Sequence, residues 1–112
     1  MGGLKQDYWQ NYVDGNWVDG GAGRLTVENP GTGEPLAKIA LADAADIDRA
    51  VKVALACHES GVLSSMRPVE RGRMVRGMGD YLLANREEIA EMLTLESGKP
   101  YWEALAETDG AA

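Results

Sequence analysis

The sequence predicts an α+β chain in which β-hairpins come first and three to four helices follow. Three observations support this prediction: an Asp-Gly pair between apolar pairs, two short β-rich runs separated by a turn rich in Pro and Gly, and helical apolar spacing from residue 43 onward. The chain has 112 residues, enough for a single domain with a modest core. We expect residues 1–11 to form a flexible tail.

The first hairpin is predicted in "NYVDGNWVDG", where Asp14-Gly15 separates two apolar pairs. Glycine accepts the positive φ that a tight turn requires, so this pattern predicts two antiparallel strands. The following "GGAG", residues 20–23, is predicted to be a flexible connection.

The segment "ENPGTGEPLAKI", residues 28–39, separates two β-rich runs, and its "GTG" has two interpretations. A dinucleotide-binding loop requires G-x-G-x-x-G at the start of a helix, but Leu36 takes the third glycine position and a strand pattern follows. Asn29-Pro30-Gly31 has ordinary turn chemistry. A hairpin turn is therefore favoured, and a ligand-binding loop is the alternative.

The first two helices are predicted from their starting residues and apolar stripes. Asp43 is a good N-cap, and Pro68 suits the first turn of the second helix after the break at "SGVLSS". The predicted stripes are Ile47, Ala50, Val51, Ala54, Leu55 and His58, and then Met74, Val75, Met78, Tyr81 and Leu82. Gly72, Gly77 and Gly79 each weaken the second helix by about 1 kcal/mol relative to Ala, so we expect tertiary packing to hold it.

The third helix is predicted to start at Asn85, with Glu88 at the capping-box position. Ile89, Met92 and Leu93 are expected to face inward, and Gly98 and Pro100 to end the helix. The final "YWEALAETDGAA" predicts a fourth helix.

Three groups of residues invite a chemical interpretation, and each has a simpler structural one. Cys57 and His58 suggest a nucleophile and its base, but neighbours on a helix point about 100° apart, which favours a buried small side chain and a helix-end histidine. The acids Glu87, Glu88 and Glu91 are interpreted as a solvated helix face. The arginines of "RPVERGRMVR" are interpreted as a salt-bridged surface helix, with a phosphate clamp as the alternative.

Composition and charge exclude several classes of protein. The formal net charge is −7, so we expect no nucleic-acid partner. No apolar run approaches a membrane span, so no membrane partner is expected. The single cysteine cannot form an internal disulfide, and with the plain start "MGGLKQDYWQ" it predicts a cytoplasmic location.

Several motifs, taken in order, resemble the first part of the NAD(P)-dependent aldehyde dehydrogenase superfamily. They are a G-x-W hairpin, an N-P-x-T-G-E turn, D-V-D-x-A-V, E-R-x-R and L-E-S-G-K-P. The corresponding residues here are Gly15 to Trp17, Asn29 to Glu34, Asp46 to Val51 (with Ile47 in place of the Val), Glu70 to Arg73 and Leu95 to Pro100. The resemblance runs from about Tyr12 to the end of the chain.

The resemblance implies that residues 1–112 are a single partial domain, the opening hairpins and first helices of a Rossmann-like cofactor-binding domain. The implied complete enzyme oxidises an aldehyde to a carboxylate with NAD or NADP as cofactor. In the family, a thiolate attacks the aldehyde, hydride passes to the cofactor, and water activated by a glutamate releases the acid. The family's contexts G-Q-x-C and E-L-G-G do not occur here. We therefore expect no catalytic and no cofactor-binding residue in this stretch, and an inactive isolated chain that binds neither cofactor.

The resemblance also implies partners and one metal site. The partners are the remainder of an aldehyde dehydrogenase chain or its subunits, in a homo-oligomer. Some family members hold a structural monovalent cation near two positions that correspond here to the Glu28 backbone carbonyl and the Glu96 carboxylate. A turn carbonyl and a helix-end acid without a cation are the simpler interpretation. For the chain as a whole, the alternative hypothesis is a stand-alone, non-catalytic binding or assembly module derived from the same family.

Overall fold

A computed structural model describes residues 6–112, which form five strands and four helices. The strands are β1 (Tyr8–Trp9), β2 (Asn11–Val13), β3 (Asn16–Val18), β4 (Arg24–Glu28) and β5 (Pro35–Ala40); the helices are α1 (Ala44–Glu59), α2 (Pro68–Ala84), α3 (Arg86–Ser97) and α4 (Tyr101–Ala111). The predicted order of strands and then helices is confirmed. Where one partial domain was predicted, the described chain divides into two compact units: residues 6–27 with 35–65, and residues 28–34 with 66–112.

The predicted Asp-Gly hairpin is confirmed in the first unit. Strands β2 and β3 are antiparallel, with Tyr12 opposite Trp17, and the two aromatic ring centroids lie 4.9 Å apart. Asp14 and Gly15 both have positive φ, at 54° and 74°. Two successive left-handed residues match the twist of a two-residue hairpin, which explains the choice of Asp-Gly at this position.

A three-stranded sheet in the same unit has the order β1-β5-β4. Strand β1 is parallel to β5, with Tyr8 opposite Lys38 and Trp9 opposite Ile39. The flexible tail predicted over residues 1–11 is therefore wrong for this strand, because backbone pairing with β5 holds it in place. Residues 1–5 of that tail lie outside the described residues.

Residues 20–23 are not the flexible connection that their composition predicted. The Ala22 N–H donates to the Leu41 carbonyl at 3.0 Å, and the Leu41 N–H donates to the Gly23 carbonyl at 2.9 Å. A Cβ on Gly20 would overlap that same Leu41 carbonyl. Glycine is needed here because two backbone segments come into direct contact.

The predicted start of α1 at Asp43 is confirmed and forms a capping box. The Asp46 N–H donates to Asp43 Oδ1 at 2.9 Å, and the Asp43 N–H donates to Asp46 Oδ2 at 3.1 Å. Asp46 Oδ2 also accepts the Gly21 N–H at 2.7 Å. The hydrogen bond from the Gly21 N–H, which has the larger effect, and the one from the Asp43 N–H hold the pKa of the Asp46 carboxyl below its usual range.

In the second unit, α3 and α4 approach closely through small side chains. Ala90 and Ala104 are fully buried, and the buried Thr108 hydroxyl donates to the Ala104 carbonyl at 2.9 Å. The Arg86 guanidinium forms two hydrogen bonds of 2.7 Å with the Asp109 carboxylate, joining the two helices at their surface. This ion pair raises the pKa of Arg86.

The boundary between α2 and α3 corrects one prediction. Asn85 stands at the start of α3, but its side chain makes no cap there. Its Nδ2 group donates instead to the Tyr81 carbonyl at 2.9 Å, so the side chain closes the end of α2. The predicted capping box of Asn85 with Glu88 is wrong because the free carbonyls of α2 take the Asn85 side chain.

The three glycines of α2 have different surroundings. Gly79 is buried, and a Cβ there would lie 2.5 Å from the Ala112 carbonyl oxygen, so another backbone segment approaches α2 closely at this position. At Gly72 and Gly77, a Cβ would have no described atom within 4 Å apart from its own helix backbone. Only one of the three glycines is therefore explained by packing within the described chain.

Candidate functional site

The "GTG" segment forms a turn whose backbone N–H groups are used internally. Asn29 organises it: its Oδ1 accepts the Gly31 N–H at 2.8 Å, and its carbonyl accepts the N–H groups of Thr32 and Gly33 at 3.2 and 2.7 Å. The Glu34 N–H donates to the Thr32 hydroxyl at 3.2 Å. A phosphate loop needs free N–H groups that point toward the ligand. The turn interpretation is confirmed.

This turn contacts the link between α3 and α4 in the same unit. Gly98 ends α3 with a φ of +74°, and a Cβ placed on it would lie 3.0 Å from Pro30 Cγ. The contact joins two of the motifs that carry the family resemblance, the turn around Pro30 and the segment at the end of α3. The contact places the turn against the end of α3.

The predicted cation ligands, Glu28 and Glu96, both have exposed side chains. Among residues 6–112, no group of three or more His, Cys, Asp or Glu residues is close enough to hold a metal ion. The two predicted oxygen donors do not by themselves enclose an ion. The cation site stays a prediction from the resemblance.

Cys57 and His58 lie near the end of α1, and both are exposed. The helix-end position of His58 is confirmed, but the predicted burial of Cys57 is wrong. The Cys57 carbonyl accepts the Ser60 hydroxyl at 2.6 Å, so the backbone at this position closes the helix. Adjacent positions on a helix diverge by about 100°, which does not suit a nucleophile and its base.

The acidic residues of α3 do not share one environment. Glu87 and Glu88 are exposed, as predicted for a solvated face. Glu91 is half-buried, and its Oε1 atom and the Thr94 hydroxyl are buried without a hydrogen-bond partner among residues 6–112. The solvated interpretation is therefore wrong for Glu91. Spacing alone does not reveal this difference, because it depends on where neighbouring helices pack.

The four arginines of residues 67–76 fall into two groups. Arg67 Nη2 donates to Glu70 Oε1 at 2.9 Å, which lowers the pKa of Glu70, and Arg71 Nη1 donates to the Met66 carbonyl at 2.6 Å. The salt-bridged interpretation is confirmed for Arg67. Arg73 and Arg76 are exposed and have no partner among residues 6–112. No converging set of guanidinium groups forms a phosphate clamp in this described segment.

A shallow groove of about 230 Å³ lies in the first unit between the β2–β3 hairpin and α1. Its lining is Asn11, Tyr12, Val13, Val18, Ala42, Asp46, Ile47, Arg49 and Ala50. Most of these side chains are apolar, and the ion pair of Arg49 with Asp46, at 3.4 Å, lies at the groove. None of these described lining residues is a cysteine, serine or histidine.

A polar cluster near β1 was not found from the sequence. The Tyr8 hydroxyl donates to Asp19 Oδ1 at 2.7 Å, and the Arg24 guanidinium lies 3.8 Å from the centre of the Tyr8 ring. The hydrogen bond to Asp19 raises the pKa of Tyr8 and lowers that of Asp19. No local sequence signal predicts the cluster, because its members meet only after β1 has paired with β5.

The model of the aldehyde dehydrogenase family matches residues 17–112 of this chain. That range holds nearly all of the described structure, including the Asn29–Glu34 turn and all four helices. The chain belongs to the aldehyde dehydrogenase family.

Individual aldehyde dehydrogenases agree with this assignment. Aldehyde dehydrogenase family 2 member B4 of Arabidopsis thaliana is 37% identical over 91% of this chain and 19% of its own length. A solved NAD-dependent aldehyde dehydrogenase of Sinorhizobium meliloti is 34% identical, covers 91% of this chain and 21% of its own, and has a TM-score of 0.86. A betaine aldehyde dehydrogenase of Staphylococcus aureus, solved as a double mutant with NAD+, has a TM-score of 0.90 and is 31% identical. The match covers 95% of this chain and 22% of the length of that enzyme.

The chain thus spans about a fifth of the length of the aldehyde dehydrogenases it matches. Its fold corresponds to the N-terminal part of their structures, which confirms the predicted fold class. The matches do not favour the alternative of a stand-alone module. No helix among residues 6–112 has the length and apolar character needed to cross a membrane.

Proposed function

We propose that this chain is the N-terminal scaffold of an enzyme that oxidises an aldehyde to a carboxylate with NAD(P)+. The observation that carries the proposal is the family match over residues 17–112, which joins the turn and the helices in one continuous assignment. The NAD+ bound in the Staphylococcus aureus relative supports a nicotinamide cofactor for the complete enzyme. The homo-oligomeric state and the cytoplasmic location stay predictions from the sequence.

In this proposal the chain supplies structure and no reacting group. The turn around Asn29 uses its own N–H groups, and the exposed Cys57 belongs to the end of α1. Neither feature provides a nucleophile beside a base, or free donors for a developing oxyanion. The chemistry therefore lies in the remainder of the enzyme, and residues 6–112 position other parts of that enzyme.

The test compares the 112-residue chain with the complete natural polypeptide that contains it. Each purified protein is incubated with NAD+ or NADP+ and a panel of aldehydes, and reduced cofactor is measured by absorbance. We expect activity only from the complete polypeptide, unchanged by Cys57→Ala, and no cofactor binding by the 112-residue chain in calorimetry. Cofactor reduction by the 112-residue chain, or an inactive complete polypeptide, would contradict the proposal.

A further inference from the structure

One face of α2 is apolar and exposed between Met74 and Tyr81. Met74, Met78 and Tyr81 are 45%, 64% and 67% exposed. Their spacing of i, i+4 and i+7 places them within roughly 60° of each other around the helix, so they form one continuous row. We call these three residues the α2 row. Such a row on a soluble chain marks a surface that another element covers.

The residue types of the α2 row and its border resemble those of a protein interface. Met, Tyr and Arg are enriched in interfaces, with apolar residues at the centre and polar ones at the rim. Arg73 lies roughly 80° around the helix from the row and has no partner among residues 6–112, whereas Arg76, equally unpaired there, lies roughly 140° away. Arg73 is therefore placed to meet a carboxylate at the rim, and Arg76 is not.

The length of the relatives indicates what covers this surface. The chain matches about a fifth of each relative, so about four fifths of their length has no counterpart in it. A second copy of the chain is the other possible occupant, and the labelling experiment below distinguishes it from the remaining polypeptide. The unpaired Arg73 favours an occupant that brings an acidic side chain.

Resting on the proposed function, we propose that an element of the remaining aldehyde dehydrogenase polypeptide packs on the α2 row. Apolar side chains of that element contact Met74, Met78 and Tyr81, and one of its carboxylates pairs with Arg73. The surface is thus an internal interface of the complete enzyme that is open in the 112-residue chain.

The first experiment places a charge in the row and an identical charge outside it. Met78→Glu is compared with Val69→Glu, because Val69 is also apolar and 55% exposed but lies roughly 120° from the row. In the complete polypeptide, Met78→Glu should lower the apparent melting temperature by about 5 °C or more relative to Val69→Glu, since it buries an unpaired charge. In the 112-residue chain, far-UV circular dichroism should show the two variants unfolding alike.

The rim is tested with the two unpaired arginines. Arg73→Ala should lower the apparent melting temperature of the complete polypeptide more than Arg76→Ala does, and added salt should reduce the difference. Equal effects of these two substitutions, or of Met78→Glu and Val69→Glu, in an active complete enzyme would overturn this inference and leave the proposed function intact.

A measurement on unsubstituted protein keeps the test decisive if a variant does not fold. Hydroxyl-radical labelling should oxidise Met74 and Met78 severalfold more slowly in the complete polypeptide than in the 112-residue chain, with an added methionine peptide as reference. Equal rates would overturn the inference. Protection that appears in the 112-residue chain only at high concentration would identify a second copy as the occupant and would also overturn it.

Discussion

Gly33 and Gly98 form a natural pair for separating backbone strain from crowding. Both residues are left-handed, with φ of +72° and +74°. A Cβ on Gly33 would have no atom within 4 Å, whereas one on Gly98 would lie 3.0 Å from Pro30 Cγ. Replacing each with alanine therefore adds the same strain to two positions, and crowding to only one of them.

The expected magnitudes follow from these surroundings. An L-residue in the left-handed region costs roughly 1–2 kcal/mol, and the lower entropy of the unfolded chain offsets part of this. Gly33→Ala should therefore lower the free energy of unfolding by about 1 kcal/mol. Gly98→Ala should lower it by about 2 kcal/mol, because the contact with Pro30 adds an overpacking cost of about 1 kcal/mol. For a domain of this size, about 1 kcal/mol moves the melting temperature by roughly 4–8 °C.

Thermal unfolding followed by circular dichroism measures both variants of the 112-residue chain against the unsubstituted protein. Gly98→Ala should melt at the lowest temperature, with Gly33→Ala between it and the unsubstituted chain. The same substitutions in the complete polypeptide should leave NAD+ affinity unchanged in calorimetry. If Gly33→Ala removed NAD+ binding at unchanged stability, the turn would be a phosphate loop and the reasoning would be refuted.

Three further predictions address packing, helix propensity and pH. Ala104→Leu should lower the free energy of unfolding by about 1–3 kcal/mol, because the fully buried Ala104 has no room for the added atoms. Ala106→Leu, at an exposed position of the same helix, is the control and should have little effect when both variants are measured by chemical denaturation. Gly77→Ala should raise the free energy of unfolding by about 1 kcal/mol because a Cβ has room there, whereas Gly79→Ala should lower it because a Cβ would meet the Ala112 carbonyl. Chemical denaturation should show midpoints that shift in opposite directions for these two variants. Folding lowers the pKa of Asp46, so the stability that its carboxylate contributes is complete above its unfolded pKa of about 4 and is lost as pH falls through its folded pKa. Asp46→Asn should therefore make the melting temperature fall less steeply with pH below about pH 4.

Features determined by neighbouring residues were predictable from the sequence. Asp14-Gly15, Asp43 and Pro68 mark a hairpin and two helix starts, and the structure places each element there. The turn at Asn29 was also predictable, because Asn, Pro and Gly in succession satisfy backbone N–H groups locally. In each case the interaction spans only a few residues, so the local sequence contains all of its partners.

Features that depend on distant contacts were not predictable in the same way. Strand β1 looked like part of a tail because its partner β5 lies far along the chain. Residues 20–23 looked flexible because glycine composition cannot show that the Leu41 backbone lies against them. Glu91 matched its exposed neighbours in charge and spacing, yet one of its oxygens is buried by tertiary packing. The candidate cation site depends on the geometry of oxygen donors, which no local pattern specifies.

The parallel pairing of β1 with β5 has a consequence for the order of events during synthesis. Tyr8 pairs with Lys38, so β1 leaves the ribosome well before its partner strand exists. The β2–β3 hairpin needs only neighbouring residues and is complete earlier. Until β5 emerges, β1 is an unpaired edge with aromatic side chains, the kind of segment that chaperones and misfolded oligomers capture. Strand β1 is thus made early and is among the last elements of this unit to reach its final pairing.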